Sequence, residues 1–525
     1  MATGLTYSVA LDGVEGRVVT IEADISNGLS GWSLSGLPDP SVSEARDRCR
    51  AAIINSGQDW PDRRVTVAMY PADIRKVGSH YDLAIALALL IAKEKLPNDP
   101  LRTSAVFGEL ALDGRVRGVP GVLPAALAAA DAGLTRIIVP AVNAPEAHLV
   151  PGVEVTGVRS LRECVAVLTG TDFEDDQLPL LHVFAERVKP SRPDLERADL
   201  SDIRGQAQAR RAVEVAAAGG HHLFLQGMPG VGKTMLAERF SGLLPDLDLT
   251  SSIEVSKIHS LAGLLSRQEP LMYRPPYLAP NHTDTVPSVV GGGTRVIRPG
   301  AISLAHLGVL FLDEAPEFKP TVHDALRQPL ESGEISIRRA EGAARFPARF
   351  QLVLAANPCP CGGGAARGKS CECQPSVKRR YTQRISGPVR DRIDILHTVD
   401  PVTQAEMAQA IPPQFATAAV AARVSEARER QRARLRDSPW RTNADVPGYE
   451  FRRLCPLDGA TMRPIEDAVA KGRLTQRGAD RVARMAWTIA DLARVTGPTP
   501  EHVTEALFLR SDGVVGLSLP DRWVA

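Results

Sequence analysis

A glycine-rich segment near the middle of the chain constrains its fold more than any other feature. A short apolar strand is expected at Leu223 to Leu225, and it leads through a glycine-rich turn into the start of a helix. The turn matches the pattern G-x-x-x-x-G-K-[ST] over eight consecutive residues: Gly227, Met228, Pro229, Gly230, Val231, Gly232, Lys233 and Thr234. In this pattern glycines let backbone N–H groups converge on phosphate oxygens, the lysine adds a cation, and the threonine hydroxyl is a Mg²⁺ ligand. The segment predicts an α/β domain that binds ATP or GTP.

A second apolar segment supplies the acidic half of such a site. Val309 to Leu312 are all apolar, as expected of a strand buried on both faces of a parallel sheet, and Asp313 and Glu314 follow directly. Asp313 would lie at the carboxyl end of the strand, where the Mg²⁺ that accompanies ATP is held. Glu314 would then polarise the water that attacks the γ-phosphate.

A third apolar strand is expected at residues 350–356, and it ends at Asn357. Taken alone, Asn357 can be a turn-forming residue, because Pro358 follows it.

Length and composition bound the class of protein. A chain of 525 residues is too long for one core, and about three domains are expected. The net charge of +1 excludes a generally polybasic nucleic-acid-binding protein, so any nucleic-acid surface must be local. The longest apolar run, residues 83–92, is too short to span a bilayer, and the N-terminus does not resemble a signal peptide. We therefore expect a cytoplasmic protein without a membrane partner.

The chain divides into four parts. Residues 1–170 alternate strand and helix patterns and predict an α+β domain, with strands at 18–23, 64–69 and 104–109 and helices at 42–55, 81–92 and 123–130. Residues 171–198 are charged and interrupted by proline, as in a linker. Residues 199–400 contain the nucleotide-binding segments. Residues 401–525 are predominantly helical, with helices expected at 405–410, 416–436, 461–472, 476–496 and 500–510.

Four of the seven cysteines fall in an insertion at residues 357–375. They form two C-x-C pairs, Cys359 with Cys361 and Cys371 with Cys373. Four thiolates can bind a tetrahedral Zn²⁺, although C-x-C is tighter than the usual C-x-x-C spacing, and buried thiols without metal are the alternative.

Basic residues are concentrated around the same insertion, at Arg367, Lys369, Lys378, Arg379, Arg380 and Arg384. They would suit a nucleic-acid backbone or form an ordinary solvated surface, and Tyr381 among them could stack on a base. A second basic stretch, 423–441, carries glutamates at helical spacing and predicts an intrahelical ion-pair face.

Three long segments, 221–247, 291–318 and 357–397, resemble the magnesium-chelatase-like AAA+ ATPases of the YifB/ComM group. The N-terminal segments 71–86 and 108–121 are similar to the Lon-protease-like domain of that group. The serine and lysine of a Lon protease fall on His80, with Ser79 one place away, and on Leu123, so the domain is expected to be non-proteolytic. The resemblance implies an N-terminal Lon-like domain, an AAA+ core with a parallel sheet, and a C-terminal helical lid.

The resemblance also implies roles for individual residues. Ile203 and Gln206 lie in an I-x-G-Q segment that sits beside adenine in AAA+ proteins, and Asn357 becomes the sensor 1 residue. The segment 384–394 has the R-x-S-G-P-x-x-D-R-I-D form, which makes Arg392 the arginine finger, with Arg390 as a weaker alternative. The other interpretation of Arg392 is an ion pair within its own subunit, with Asp391 or Asp394. Sensor 2 would be Arg477 or, one helical turn later, Arg481.

The group implies a homo-oligomeric ring, expected to be a hexamer, that uses ATP and Mg²⁺ and acts on single-stranded or branched DNA. One activity in the group is DNA branch migration during natural transformation. A magnesium-chelatase-type motor subunit, an ATP-dependent remodelling factor and a ring that only assembles with ATP are the alternatives. DNA-stimulated ATPase activity separates the first class from the others.

Overall fold

The computed structural model describes residues 3–172, 198–293, 297–339, 342–362, 371 and 373–511. Most of the expected linker lies outside the described residues, as do Arg367 and Lys369 of the basic surface. The described chain forms a mixed N-terminal α/β unit, a parallel sheet flanked by helices, and a C-terminal helical region. Among these residues, no helix is long and apolar enough to cross a membrane.

The N-terminal unit is built on a mixed sheet with the order β3-β4-β2-β1-β5-β8-β9. The strands described in this unit are β1 (Gly4–Asp12), β2 (Glu15–Ser26), β3 (Gly31–Ser35), β4 (Arg64–Tyr70), β5 (Ser104–Val106), β6 (Glu109–Leu110), β7 (Val116–Arg117), β8 (Arg136–Pro140) and β9 (Glu154–Val158). Strands β1, β2 and β4 pair in antiparallel fashion, and the other pairs of this sheet are parallel.

The helices of this unit are α1 (Pro40–Ser43), α2 (Ala45–Asn55), α3 (Asp82–Ala92), α4 (Val122–Asp131), α5 (Ala144–Ala147) and α6 (Leu161–Thr169). The helix expected at 42–55 is divided into two, because α1 ends with Glu44 as its cap. The strand expected at 104–109 ends at Val106, and Glu109 instead begins a short hairpin with β7. Helix α3 is buried from Asp82 to Ile91, as its continuous apolar sequence predicts.

The domain predicted to bind nucleotide contains a five-stranded parallel sheet in the order β11-β14-β17-β10-β18. Its strands and the neighbouring hairpins are β10 (Leu223–Gly227), β11 (Tyr277–Leu278), β12 (Gly291–Gly292), β13 (Arg298–Pro299), β14 (Val309–Leu312), β15 (Glu334–Arg339), β16 (Gly342–Pro347), β17 (Gln351–Ala356) and β18 (Ile395–Val399). Every residue of β14 and β17 is buried, which fits a parallel sheet covered on both faces.

Helices cover this sheet and continue into the C-terminal region. They are α7 (Ala207–Gly219), α8 (Lys233–Phe240), α9 (Leu249–Ala262), α10 (Val286–Val290), α11 (Ala301–Leu304), α12 (Pro320–Ala325), α13 (Arg327–Ser332), α14 (Pro375–Thr382), α15 (Gly387–Arg390), α16 (Gln404–Ala408), α17 (Thr417–Arg434), α18 (Gly448–Leu454), α19 (Gly459–Ala470), α20 (Gln476–Leu492) and α21 (Pro500–Ser511). The five helices expected after residue 401 are confirmed, and the structure adds α18, which the sequence pattern does not predict. Helices α7, α17 and α20 share one apolar cluster, so the helical region packs directly on the nucleotide-binding domain.

A buried carboxyl group joins the N-terminal unit to the nucleotide-binding domain. Glu146 on α5 accepts hydrogen bonds from Ser260 Oγ at 2.7 Å and from Asn143 Nδ2 at 2.6 Å, and Ser260 belongs to α9. Burial raises the pKa of Glu146 to about 7, and the hydrogen bonds oppose this rise.

Replacement of Glu146 by glutamine is expected to change how stability depends on pH. Between its ordinary pKa and about 7, Glu146 is protonated in the folded protein and ionised in the unfolded chain, so the wild type loses stability as pH rises. The neutral amide removes this dependence. As the pH rises from about 5 to about 8, the free energy of unfolding of the variant should therefore increase by on the order of 3 kcal/mol relative to that of the wild type. Urea unfolding at both pH values measures the difference. The exposed Glu269→Gln is the control, and a Glu146→Gln difference that does not vary with pH would contradict the account.

Candidate ATPase site

The glycine-rich turn connects β10 to α8 at the carboxyl edge of the parallel sheet. Gly230 and Gly232 adopt φ of +80° and +95°, in the left-handed region that favours glycine, and the space where a Cβ would lie is open at both positions. At Gly227 the constraint is contact instead, because a Cβ there would lie 2.5 Å from the carbonyl oxygen of Val399. The turn therefore forms an open cradle of backbone N–H groups that suits a phosphate chain.

Lys233 holds its ammonium group against this cradle by hydrogen bonds. Its Nζ donates to the carbonyl oxygens of Gly227 and Met228, both at 2.8 Å, and to Asn357 Oδ1 at 3.1 Å. Burial lowers the pKa of Lys233, and the charges of Asp313 and Glu314 oppose that shift. The structure thus brings together Lys233, at the start of α8, and Asn357, which directly follows β17.

The hydroxyl and the carboxylate that were expected to hold Mg²⁺ are in direct contact. Thr234 Oγ1 donates to Asp313 Oδ2 at 2.7 Å, and the second oxygen of Asp313 accepts from the backbone N–H of Glu314 at 2.9 Å. These are the hard oxygen donors that Mg²⁺ prefers, and carboxylate plus hydroxyl is a donor set that leaves room for phosphate oxygens and water. The residues present therefore fit a Mg²⁺–nucleotide complex.

Glu314 is held in an unusual backbone conformation and has a histidine partner. Its φ of +50° lies in the left-handed region, which costs a residue with a Cβ on the order of 1 kcal/mol and is typical of functional positions. His282 Nδ1 lies 3.4 Å from Glu314 Oε2, and the rings of His282 and Phe318 are in a T-shaped arrangement. No sequence pattern points to His282, because it lies in an irregular segment with no motif of its own.

Replacement of His282 by alanine is expected to lower ATP turnover without abolishing nucleotide binding. The imidazole limits where the Glu314 carboxylate can point, and its removal should reduce kcat by about tenfold while KM for ATP changes little. Steady-state ATPase kinetics measure both quantities. His148→Ala in the N-terminal unit is the control, and an unchanged kcat in the His282 variant would remove this residue from the site.

The segment expected to contact adenine lies beside the end of β18. Ile203 is buried in the apolar cluster of α7, and Gln206 adopts φ of +53° with its side-chain amide donating to the carbonyl oxygen of Asp400. Gly205 between them packs against Val402. The segment is thus fixed by contacts with the chain that follows β18.

The arginines proposed for a shared site differ in their surroundings. Arg392 is mostly buried, forms an ion pair with Glu331 and donates to the carbonyl oxygen of Pro388 at 2.6 Å. Its pKa is lowered by burial and by the nearby Arg477, Arg481 and Arg327. Its partner is therefore Glu331, rather than either aspartate considered from the sequence.

The two sensor 2 alternatives are also distinct. The Arg477 side chain is 77% exposed and lies 3.4 Å from Asp391. Asp391 directly precedes Arg392 in the sequence. The Arg481 side chain is 13% exposed and donates to Asp394 Oδ1 at 2.7 Å. Burial alone would raise the pKa of Asp394, but Arg481 and the two histidines His221 and His222 hold it well below its usual range. Arg481 is thus engaged in a buried ion pair, whereas the Arg477 guanidinium faces solvent.

Comparisons with known proteins show which chains this one is similar to. A family model described as magnesium chelatase, subunit ChlI, matches residues 199–407, one described as subunit ChlI of Mg-chelatase matches 21–143, and one described as magnesium chelatase, subunit ChlI C-terminal, matches 414–510. An uncharacterized protein of Mycobacterium tuberculosis is 48% identical over 98% of this chain and 99% of its own length. YifB of Escherichia coli is 40% identical over 97% of both chains, and the competence protein ComM of Haemophilus influenzae is 40% identical over 97% of this chain and 98% of its own.

The chain belongs to the YifB/ComM family of magnesium-chelatase-like AAA+ ATPases. This membership supports ATPase activity and the use of ATP and Mg²⁺. When bound, Mg²⁺ would supply positive charge next to the phosphates, and Thr234 and Asp313 are the residues that would hold it.

The insertion of this family member brings its four cysteines together. Cys359 is buried, Cys361 is exposed, and Cys371 and Cys373 are partly exposed. Their sulfur atoms all lie within 4.8 Å of one another, and all four cysteines carry thiols rather than disulfide bonds.

Helix α14 begins directly after this cluster and carries an exposed basic surface. Lys378, Arg379 and Arg380 are all exposed. Tyr381 is buried, so the expectation that it could stack on a nucleic-acid base is wrong: its ring packs inward and lies below the Arg384 guanidinium at 5.8 Å. In the second basic stretch, the intrahelical pair of Arg430 with Glu426 at 3.3 Å is confirmed.

Proposed function

We propose that this chain is the subunit of an ATP-hydrolysing ring motor that acts on DNA, as a branch-migration helicase in recombination and natural transformation. The observation that carries the proposal is its similarity to a competence protein over nearly the full length of both chains. A nucleotide site equipped with Lys233, Thr234, Asp313 and Glu314 supports the motor half of the proposal. The ring is expected to be a hexamer, located in the cytoplasm.

Within one subunit, each group of the site has a separate task. The cradle from Gly227 to Thr234 would bind the phosphates, and Ile203 and Gln206 would contact the base. Glu314 would take the proton from the attacking water, while Asn357 would hold that water in line with the γ-phosphate. The hydrogen bond from Lys233 to Asn357 supports this arrangement, since it keeps the amide at the phosphate end of the site.

Arg392 and Arg477 would complete the site of the neighbouring subunit. Their proximity supports one shared surface, because Arg477 pairs with Asp391, the residue directly before Arg392. Arg392 would exchange its ion pair with Glu331 for the developing charge on the neighbour's γ-phosphate. We therefore assign Arg392 as arginine finger and Arg477 as sensor 2, both acting across the subunit interface. Arg390 is exposed and receives no role.

The N-terminal unit is proposed to be a Lon-like domain without protease activity. Ser79 Oγ donates to a Glu109 carboxylate oxygen, and His80 is buried against the rings of Tyr81 and Phe107. Leu123, at the position of the catalytic lysine, is buried. A serine bound to a carboxylate, with leucine in place of the base, supports a scaffold or substrate-handling role.

A magnesium-chelatase-type motor subunit, or an ATP-dependent remodelling factor, is the second candidate. The descriptions of the three matching family models favour it. The two functions differ in their response to DNA, because a chelatase motor has no reason to hydrolyse ATP faster when DNA is present.

The DNA-binding role predicts that the exposed basic residues of α14 couple DNA to ATP turnover. Replacing Lys378, Arg379 and Arg380 together by alanine should reduce DNA stimulation of the ATPase by about tenfold and weaken the salt dependence of DNA binding. Turnover without DNA should stay unchanged. ATPase assays with and without forked DNA measure both values, with an Arg452/Arg453 double alanine variant as the control for loss of exposed positive charge elsewhere on the chain. Absence of stimulation in the wild type would favour the second candidate.

A further inference from the structure

Four cysteine sulfurs converge directly beyond the end of β17. The Cys359 sulfur lies 3.2 Å from that of Cys361 and 3.4 Å from that of Cys371, and the Cys361 and Cys371 sulfurs are 3.6 Å apart. Four sulfurs around one Zn²⁺, each about 2.3 Å from the ion, would be about 3.8 Å apart in a regular tetrahedron. A disulfide would require a separation of about 2 Å. The cluster has the dimensions of a mononuclear tetrahedral site.

We propose that Cys359, Cys361, Cys371 and Cys373 bind one structural zinc ion, and that this zinc centre fixes Asn357 and the phosphate cradle relative to each other. Four soft thiolates in a tetrahedral arrangement select zinc over Mg²⁺ or Ca²⁺. An iron–sulfur cluster is disfavoured because its cysteines bind different iron atoms and must stand further apart than four ligands of a single ion. Since all four ligand atoms lie within 4.8 Å, the site accommodates one ion.

The zinc centre is connected to both sides of the phosphate site. Cys359 follows Asn357 by two residues, and Asn357 Oδ1 accepts the hydrogen bond from Lys233. Gly362, next to Cys361, adopts φ of +62°, and a Cβ there would lie 2.8 Å from Cγ of Pro229 in the cradle. The pair Cys359 and Cys361 thus follows the strand that positions Asn357, and Gly362 packs against the phosphate-binding turn.

This arrangement makes the ion a clamp on the nucleotide site. The described residues from Asn357 to Gly362 include no helix or strand. Binding of the four sulfurs to one ion would tie this segment to Cys371 and Cys373, which precede α14, and so restrict the position of Asn357. Loss of the ion would leave the cradle able to bind nucleotide but would leave Asn357 less well aligned with the γ-phosphate. Zinc loss should therefore reduce turnover more than binding.

The metal itself is tested by elemental analysis of the full chain, purified without added metal. About one zinc per chain is expected, released in parallel with modification of the four thiols. Cys361→Ser changes the exposed ligand and should lose the zinc, whereas the buried Cys164→Ala in the N-terminal unit should keep it. Wild-type protein without zinc, or with iron in its place, would overturn the assignment.

The clamp rests on the proposed ATPase function and is tested by separating binding from turnover. In Cys361→Ser, the number of bound fluorescent ATP analogues per chain should match the wild type, while kcat per bound nucleotide falls by about tenfold. Zinc removal from the wild type by a zinc-selective chelator should give the same loss, and added zinc should restore activity. A zinc-free protein with unchanged kcat per site would overturn the clamp.

A second pair of variants tests the contact with the cradle. Gly362→Ala should retain zinc yet raise KM for ATP, because its Cβ displaces Pro229. Gly133→Ala is the matched control, since it has φ of +81° and open space around its Cβ. An unchanged KM in Gly362→Ala would contradict the contact. Zinc content is measured without ATP or DNA, so failure of the zinc assignment is distinguishable from failure of the proposed function. A lack of DNA-stimulated turnover would count against the proposed function only.

Discussion

Glu314→Gln is expected to lower kcat for ATP hydrolysis by about a hundredfold or more while ATP binding is retained. Glutamine has nearly the same volume as glutamate but cannot accept the proton of the attacking water. Lys233, Thr234 and Asp313 are unchanged in the variant, so the nucleotide should remain bound and unhydrolysed. The trapped ATP should also make assembled rings more stable than those of the wild type, because the nucleotide would lie between subunits.

Single-turnover ATP hydrolysis and size-exclusion chromatography with ATP measure these two effects. Glu317→Gln is the matched control, because Glu317 lies on the turn that follows Glu314 and forms an exposed pair with Arg384 at 2.7 Å. Unchanged turnover in Glu314→Gln would remove this residue from the mechanism. Loss of ATP binding would show instead that the carboxylate holds the nucleotide.

Arg392→Ala is expected to reduce kcat by about a thousandfold, the usual scale for loss of an arginine finger. The arginine has an ion-pair partner in its own chain, Glu331, so its loss could also act locally. Mixing two inactive variants distinguishes these origins. If Arg392 serves the neighbour, an Arg392→Ala subunit next to a Glu314→Gln subunit has one complete site, formed by its own Glu314 and its neighbour's Arg392.

Random mixing of equal amounts should restore about a quarter of wild-type activity, because half of the subunits keep Glu314 and half of their neighbours keep Arg392. The exposed Arg453→Ala in the C-terminal region is the control for loss of an arginine. Mixed rings that form but remain inactive would contradict action across the interface.

The sequence predicts best those parts of the site that depend on consecutive residues. The strand at residues 309–312 is found as predicted, because four buried apolar residues in a parallel sheet need no information from elsewhere in the chain. The same holds for β17 and for the turn between β10 and α8. Since parallel strands end at one sheet edge, the approach of Asn357 to Lys233 follows from the order of the strands.

Other features depend on which distant residues meet, and the sequence does not encode them in a local pattern. His282 reaches Glu314 from an irregular segment, and Glu146 meets Ser260 across more than a hundred residues. Tyr381 lies among exposed basic residues in sequence, yet helical geometry turns its ring inward. The choice between Arg477 and Arg481 likewise depends on Asp394, which lies far away in sequence and forms an ion pair with Arg481.

Branch migration of a synthetic four-way DNA junction tests the central claim most directly. Purified wild-type protein with ATP and Mg²⁺ should convert the junction into two duplex products, and the non-hydrolysable analogue of ATP should not support the reaction. Glu314→Gln should bind the junction but leave it intact. If the wild type hydrolyses ATP at a rate that DNA does not change, and leaves the junction intact, the account of this chain as a DNA motor is contradicted.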